Sequence, residues 1–209
     1  MKRLPIKSNP LIMAITAGDV AKLREMTGAG MMDAKKALTE TDGNVEAAVE
    51  VLRKNGALKV AKKSDRTTAE GRVHTYTHSN GKLAVAVEVM CETDFVARNT
   101  DFIDFCQDLA MHIAAAAPQY TTRAEVPAEI VEKEKAFHAE QLAAEGKPAE
   151  VIGKIMEGKL NKFYEDIVLM DQKFVKDDSI SITNLIEQKV TTMGESIRVG
   201  RFVRMNLGA

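Results

Sequence analysis

The chain contains no tryptophan, and only 5% of its 209 residues are aromatic, which argues against the broad stacking surface that holds nucleic-acid bases. Two cysteines, Cys91 and Cys106, are too few for a disulfide framework or a four-thiolate metal site. They fit a reducing, cytoplasmic setting. No apolar run approaches the ~18 residues that a bilayer crossing needs, so a membrane-spanning helix is excluded. With 29 basic and 30 acidic side chains the net charge is −1, far from the concentrated positive stripe of a nucleic-acid module. No period of ~20–50 residues repeats, which removes solenoids and propellers. What is left is an ordinary globular composition, 45% apolar.

The charge is unevenly spread. Residues 1–71 hold 13 basic and 9 acidic side chains, residues 72–209 hold 16 and 21, so the two parts are expected to do different jobs. Residues 1–18, where Lys7 and Pro10 interrupt a short apolar run, read as a loose tail rather than a secretory leader. Residues 19–56 predict three short helices. Asp19 is expected to cap the first, with Val20, Leu23 and Met26 on one face, before Thr27-Gly28-Ala29-Gly30 stops it. The second places Ala34, Ala37 and Leu38 inward and Lys35 and Lys36 outward. Asn44 can cap the third, which carries Val45, Ala48, Val49 and Leu52 on one face and is expected to end at Gly56. Residues 57–70 read as a connecting linker.

Residues 71–209 predict a second domain. From Val73 the period is two, Asn80-Gly81 gives a hairpin signal, and Leu83, Val85, Val87, Val89 and Cys91 continue the alternation. Ile197 to Leu207 alternate again, a third strand expected to bring the C-terminus back to residue 73. A helix starting near Asn99 or Thr100, with Phe102, Cys106, Leu109 and Ile113 on one face, is expected to cover the sheet. Thr122 to Glu125 resembles a capping box before a long helical stretch, halted at Glu145-Gly146-Lys147-Pro148 and then resumed. Two helices of ~17 residues, each ~25 Å long, predict a projecting antiparallel coiled-coil hairpin over about 128–166. The fold class is α+β: a three-helix module, then a three-stranded antiparallel sheet packed by helices, with that arm.

Chemistry-bearing constellations are scarce. The glycines of residues 28–30 are followed by Lys35 and Lys36, but no strand precedes them and the lysine is misplaced for a phosphate loop. His74 and His78 share a strand face without an evident third ligand, so no metal site is assigned. Cys91, with His112 as a distant base, is the one nucleophile candidate, and packing is the simpler role for it. An enzyme is disfavoured and no cofactor is expected. Two features break local rules. Phe95 lies beside Asp94 in a tight connection, either tucked under the helix as a plug or standing outside as a wedge. Spacing alone favours the plug. Met31 and Met32 are adjacent on a helix and cannot both face one small core, so at least one is expected to be exposed to a partner.

Five blocks occur in order: TGAGMMDAKKAL (27–38), ALKVAKK (57–63), CETDFVARN (91–99), AMHIAA (110–115) and EGKPAEVIGKIMEGKLNKF (145–163). Together they resemble the elongation factor Ts family from about Asp19 to the C-terminus. The resemblance implies a guanine-nucleotide exchange factor for elongation factor Tu, the GTPase that delivers aminoacyl-tRNA, with no covalent chemistry, no metal and no direct nucleic-acid or membrane contact. It implies that the 19–56 module is ubiquitin-associated-like and meets the GTPase through Met31, Met32 and Lys35, with Lys63 in the adjoining segment. It implies that Thr93, Asp94, Phe95 and Val96 intrude beside the partner's Mg²⁺ site, and that His112 is a weaker contact. Longer family members carry a second copy of the sheet-and-helix unit, whereas residues 99–117 here run straight through. This short form is expected to be a homodimer held by packing, since its last strand carries Val203 and no cysteine. The alternative is a non-catalytic adaptor that uses the first module to bind another protein.

Overall fold

The computed structural model describes residues 15–63, 65–144 and 149–208. The expected tail up to residue 14 and the expected turn at residues 145–148 lie outside them. The chain forms two compact units, residues 1–64 and 65–209.

The first unit holds α1 (Ala17–Thr27), α2 (Met31–Glu40) and α3 (Val45–Ala61). Thr16, not Asp19, caps α1. Its Oγ1 accepts from the Asp19 N–H at 3.2 Å while the Asp19 carboxylate accepts from the Thr16 N–H at 2.9 Å, a reciprocal capping box. Those bonds favour the charged form and lower the Asp19 pKa. The α1 helix stops at Gly28, whose φ of 66° lies in the left-handed region. Val20, Leu23, Ala34, Ala37, Leu38 and Ala48 form the core. Met26 does not join it and is 60% exposed, because six helical residues carry it about 120° round from Val20. Asn44 caps α3 as expected, accepting from the Ala47 N–H at 3.0 Å. The helix runs through Gly56 to Ala61: an interior glycine costs only about 1 kcal/mol against alanine, too little to end a helix without a capping turn. The first part of the expected linker is therefore helical.

In the second unit β1 (Glu70–Thr77) and β2 (Leu83–Cys91) form the expected hairpin, with His74 opposite Val87 and Tyr76 opposite Val85. The last strand pairs with β2 rather than β1. Leu83 faces Asn206 and Met90 faces Arg198, so the chain end returns to residue 83, and β1 is an edge. The single turn α4 (Asp94–Ala97) leads into α5 (Thr100–Ala116), capped by Asn99. Phe102, Phe105, Cys106, Leu109 and Ile113 of α5 are buried, and so are Val85, Val87 and Val89 of β2. The helical hairpin is α6 (Ala128–Ala144) and α7 (Ala149–Ile167). Its base is fixed where Arg123 donates to both Asp171 oxygens at 2.9 Å and stacks 4.5 Å over the Tyr164 ring. Sequence periodicity gave no reading for the next segment, which forms the short hairpin β3 (Lys173–Phe174) and β4 (Asp177–Ser181), then α8 (Ile182–Met193), before β5 (Arg198–Asn206). Among the described residues no helix is long and apolar enough to cross a membrane.

His112 of α5, which the resemblance implied as a weaker contact, is fully buried. Its Nδ1 accepts from the Val175 N–H at 3.2 Å, which leaves the proton on Nε2, 3.0 Å from the Gln172 carbonyl oxygen. Gln172 in turn donates to the Asp166 carbonyl at 3.1 Å, so the imidazole ties α5 to the end of α7 and to β3. Burial pushes the His112 pKa below its ordinary 6.5. A group whose folded value is depressed in this way contributes nothing above the unfolded value; below it the unfolded chain takes up the proton first, and stability falls. The melting temperature should therefore drop between about pH 7.5 and about pH 5.5. The drop should be smaller in His112→Gln, which cannot titrate. Equal pH slopes in the two proteins would remove the buried imidazole as the cause.

Candidate functional site

The segment between β2 and α5 is built by an exchange of hydrogen bonds with residues 194–196. The β2–β5 ladder ends at Met90 opposite Arg198 and the β1–β2 ladder at Cys91 opposite Glu70, so the N–H groups of Glu92 and Thr93 lie beyond both. The Glu195 carboxylate takes the strand's place. One oxygen accepts from the Glu92 N–H at 3.1 Å and the Thr93 N–H at 3.0 Å; the other accepts from the Thr93 hydroxyl at 2.6 Å. In return the Glu92 carboxylate accepts from the Ser196 N–H at 2.6 Å and pairs with Arg66 at 3.2 Å. Each glutamate thus binds the backbone of the other's segment. The same Thr93 hydroxyl oxygen caps α4, accepting from the Val96 N–H at 3.5 Å.

This frame sets where Asp94, Phe95 and Val96 point. Ala97 is the buried residue of the turn, and Phe95, two positions earlier and about 200° away round a helix, faces out. The ring is 84% exposed. The plug that spacing favoured is overturned, because the inward position of the turn is filled by a methyl group. Asp94 is half-buried and pairs with Arg98 at 3.0 Å; Val96 is half-buried as well. An apolar ring beside a carboxylate stands on a turn held at both ends.

A second exposed apolar pair lies in the other unit. Met31 and Met32, at the start of α2, are 59% and 74% exposed, so the expectation of at least one outside the core is met by both. Lys35 is exposed one turn from Met31 on the same helix. Lys63 is half-buried just beyond α3.

The chemistry-bearing alternatives have their reactive groups buried or hydrogen-bonded to neighbouring side chains. Cys91 is buried and its thiol donates to the Thr93 carbonyl at 3.2 Å. Burial raises its pKa, and raises that of Cys106 to about 12. His74 meets the Gln107 side chain at 2.7 Å and His78 meets the Tyr76 hydroxyl at 2.8 Å. Among the described residues no three His, Cys, Asp or Glu side chains converge as a metal site. A cleft lined by Gln119, Thr121, Glu125, Gly200 and Arg201 has its charges already committed, Glu125 to the Thr121 N–H and Arg201 to Glu88 at 2.7 Å. Sequence reasoning missed Glu195. The Gly194-Glu195-Ser196 stop after α8 is visible in the sequence, but nothing local tells that its carboxylate serves a backbone 102 residues earlier.

Both thiols should resist a disulfide reagent in the folded protein near pH 8, about where a free thiol reacts readily, and both should react once denaturant is added. Rapid labelling of Cys91 in the native chain would revive it as a nucleophile.

The model of the family described as Elongation factor TS matches residues 11–209. A protein of Fervidobacterium nodosum named Elongation factor Ts is 53% identical over 196 residues, covering 94% of this chain and 100% of its own. Its namesake in Geobacter sulfurreducens is 52% identical over 196 residues, covering 94% of this chain and 91% of its own. A third, from Maridesulfovibrio salexigens, is 51% identical over 195 residues, 93% of this chain and 95% of its own. With agreement of that depth across both units, this chain belongs to the elongation factor Ts family.

Proposed function

We propose that the chain is the guanine-nucleotide exchange factor of elongation factor Tu in the cytoplasm, and that the Thr93-Asp94-Phe95-Val96 turn drives GDP release. The observation that carries this reading is the exposed Phe95 ring on a backbone that cannot fold it away. Family membership supports the partner. The chain performs no covalent step and needs no cofactor. Burying the ring in a cleft of the GTPase yields about 2 kcal/mol and favours a partner conformation in which the element beneath it is displaced. Asp94 brings a carboxylate that competes with the groups around the partner's Mg²⁺ and phosphates. Once the ion loosens, the diphosphate loses its main counter-charge. Met31, Met32, Lys35 and Lys63 supply a second contact that holds the factor on the GTPase.

If the full burial energy of the ring lowers the release barrier, its removal slows exchange about thirtyfold. The test is stopped-flow release of labelled GDP from elongation factor Tu with wild type and Phe95→Ala. The variant should release GDP more slowly at an unchanged melting temperature, since substitutions of exposed side chains shift stability by only about 0.5 kcal/mol. An unfolded variant, or one with undiminished exchange, would reject the role of the ring.

The reading includes a homodimer. The sheet face opposite α5 presents Val203 and Met205 from β5 to solvent beside Ala86 and Ala84 of β2, and Val73 from β1 beside Glu88. Such a face is matched by its own copy, strand rows against strand rows. Sedimentation should find a dimer at micromolar concentration and a monomer for Met205→Glu. A wild-type monomer throughout the range would discard this part of the reading.

A further inference from the structure

We infer that Glu195 is a positioning residue for nucleotide exchange: it touches no partner group itself, and its carboxylate holds the turn that presents Asp94 and Phe95. The inference rests on the exchange reading above and goes beyond the turn's own residues. A four-residue helix is far below the length at which helices persist in water, so α4 owes its existence to what flanks it. On its C-terminal side stands Asn99, the cap of α5. On its N-terminal side the restraint is Glu195, which receives three donors from two consecutive residues. Those donors fix the backbone of residues 92 and 93 and orient the very hydroxyl that caps α4. Glu195 is itself pinned, because the Glu92 carboxylate binds the N–H of Ser196, the residue next to it. The ladder with β5 ends at Arg198, so these backbone N–H groups are paired by the Glu195 side chain and not by a strand.

Removing the negative charge changes this in a definite way. In Glu195→Gln a single oxygen remains to accept, so the amide serves either the Thr93 hydroxyl or, turned over, the N–H groups of Glu92 and Thr93, and the charge that strengthens all three bonds is gone. The turn would hold its binding geometry for only a fraction of the time. Apparent affinity and exchange fall to that fraction of the wild-type value, because only the competent state inserts the ring. The effect passes through Phe95 and Asp94, so it should shrink to the share that Asp94 carries when the ring is already gone.

The experiment is a double-mutant cycle on the full chain, reading GDP release from elongation factor Tu for wild type, Glu195→Gln, Phe95→Ala and the pair. A competent fraction near one tenth gives Glu195→Gln about a tenfold slower exchange. In the Phe95→Ala background Glu195→Gln should cost well under the tenfold that it costs wild type. Hydrogen exchange on the free chain should show the amides of residues 92 and 93 protected in wild type and exposed in Glu195→Gln. A general loss of structure would instead multiply the two defects, and that result overturns the inference. Full acceleration by Glu195→Gln beside a slow Phe95→Ala overturns it too while leaving the exchange reading intact. A wild-type chain that does not accelerate release overturns both. Should Glu195→Gln melt below the assay temperature, Glu195→Asp, which keeps the charge and withdraws it by one methylene, enters the same cycle with the same expected result.

Discussion

The reciprocal binding of Glu92 and Glu195 to each other's backbone is the constraint on which the rest of the second unit's surface chemistry depends. Hydrogen bonds from backbone N–H groups to a carboxylate contribute about 1.5–3 kcal/mol each, more than neutral ones, and leaving those N–H groups unpaired costs a similar amount. The pairing spans about a hundred residues of sequence, yet it adds little closure entropy. The β2–β5 ladder has already brought the two segments together up to Met90 and Arg198, and the glutamates only extend that register by side chains where the strands diverge. The end of the central strand is thereby converted into a stiff exit for the chain.

Stiffness matters here because an exposed aromatic ring on a loose loop folds back onto its own protein. Phe95 is denied that option: Ala97 occupies the inward position, Thr93 is tied to Glu195, and Asp94 is paired with Arg98. Its exposed area is therefore available in full, and little ordering entropy remains to be lost when it is covered, a saving of about 0.5–1.5 kcal/mol for each side chain held in advance. Met31 and Met32 reach the same end by another route, riding on the first turn of a regular helix that is anchored in the core by Ala34, Ala37 and Leu38. In both units the apolar groups offered to solvent stand on backbone fixed by contacts made elsewhere.

The sequence revealed most of what is periodic and little of what is tertiary. Alternation located β1, β2 and β5, and helical spacing located α2, α5 and the two arm helices, since those patterns are the imprint of one buried face. Which strand β5 joins left no such imprint, because an apolar alternation fits either edge of a hairpin equally well. Gly56 looked like a stop and is not one, for the reason that a single unfavourable residue is outweighed by the helix on both sides. Phe95 was misjudged because hydrophobicity argues for burial, and only the phase of one helical turn, set by a cap, decides that Ala97 goes in instead. Glu195 was invisible for the opposite reason: a glutamate in a turn is common, and its function depends wholly on a neighbour distant in sequence.

In the exchange reading, stiffness also decides which molecule is deformed. When two surfaces meet that cannot both keep their shape, the strain settles in the softer one, and a turn clamped at Glu195 is not the softer. The ring's burial energy is then spent on moving the nucleotide site rather than on bending the factor. Coupling of this kind is reciprocal: whatever the factor takes from the affinity of the nucleotide, the returning nucleotide takes from the affinity of the factor. Release of the factor by incoming nucleotide follows with no further device, and a stiffer turn strengthens both halves of the exchange together.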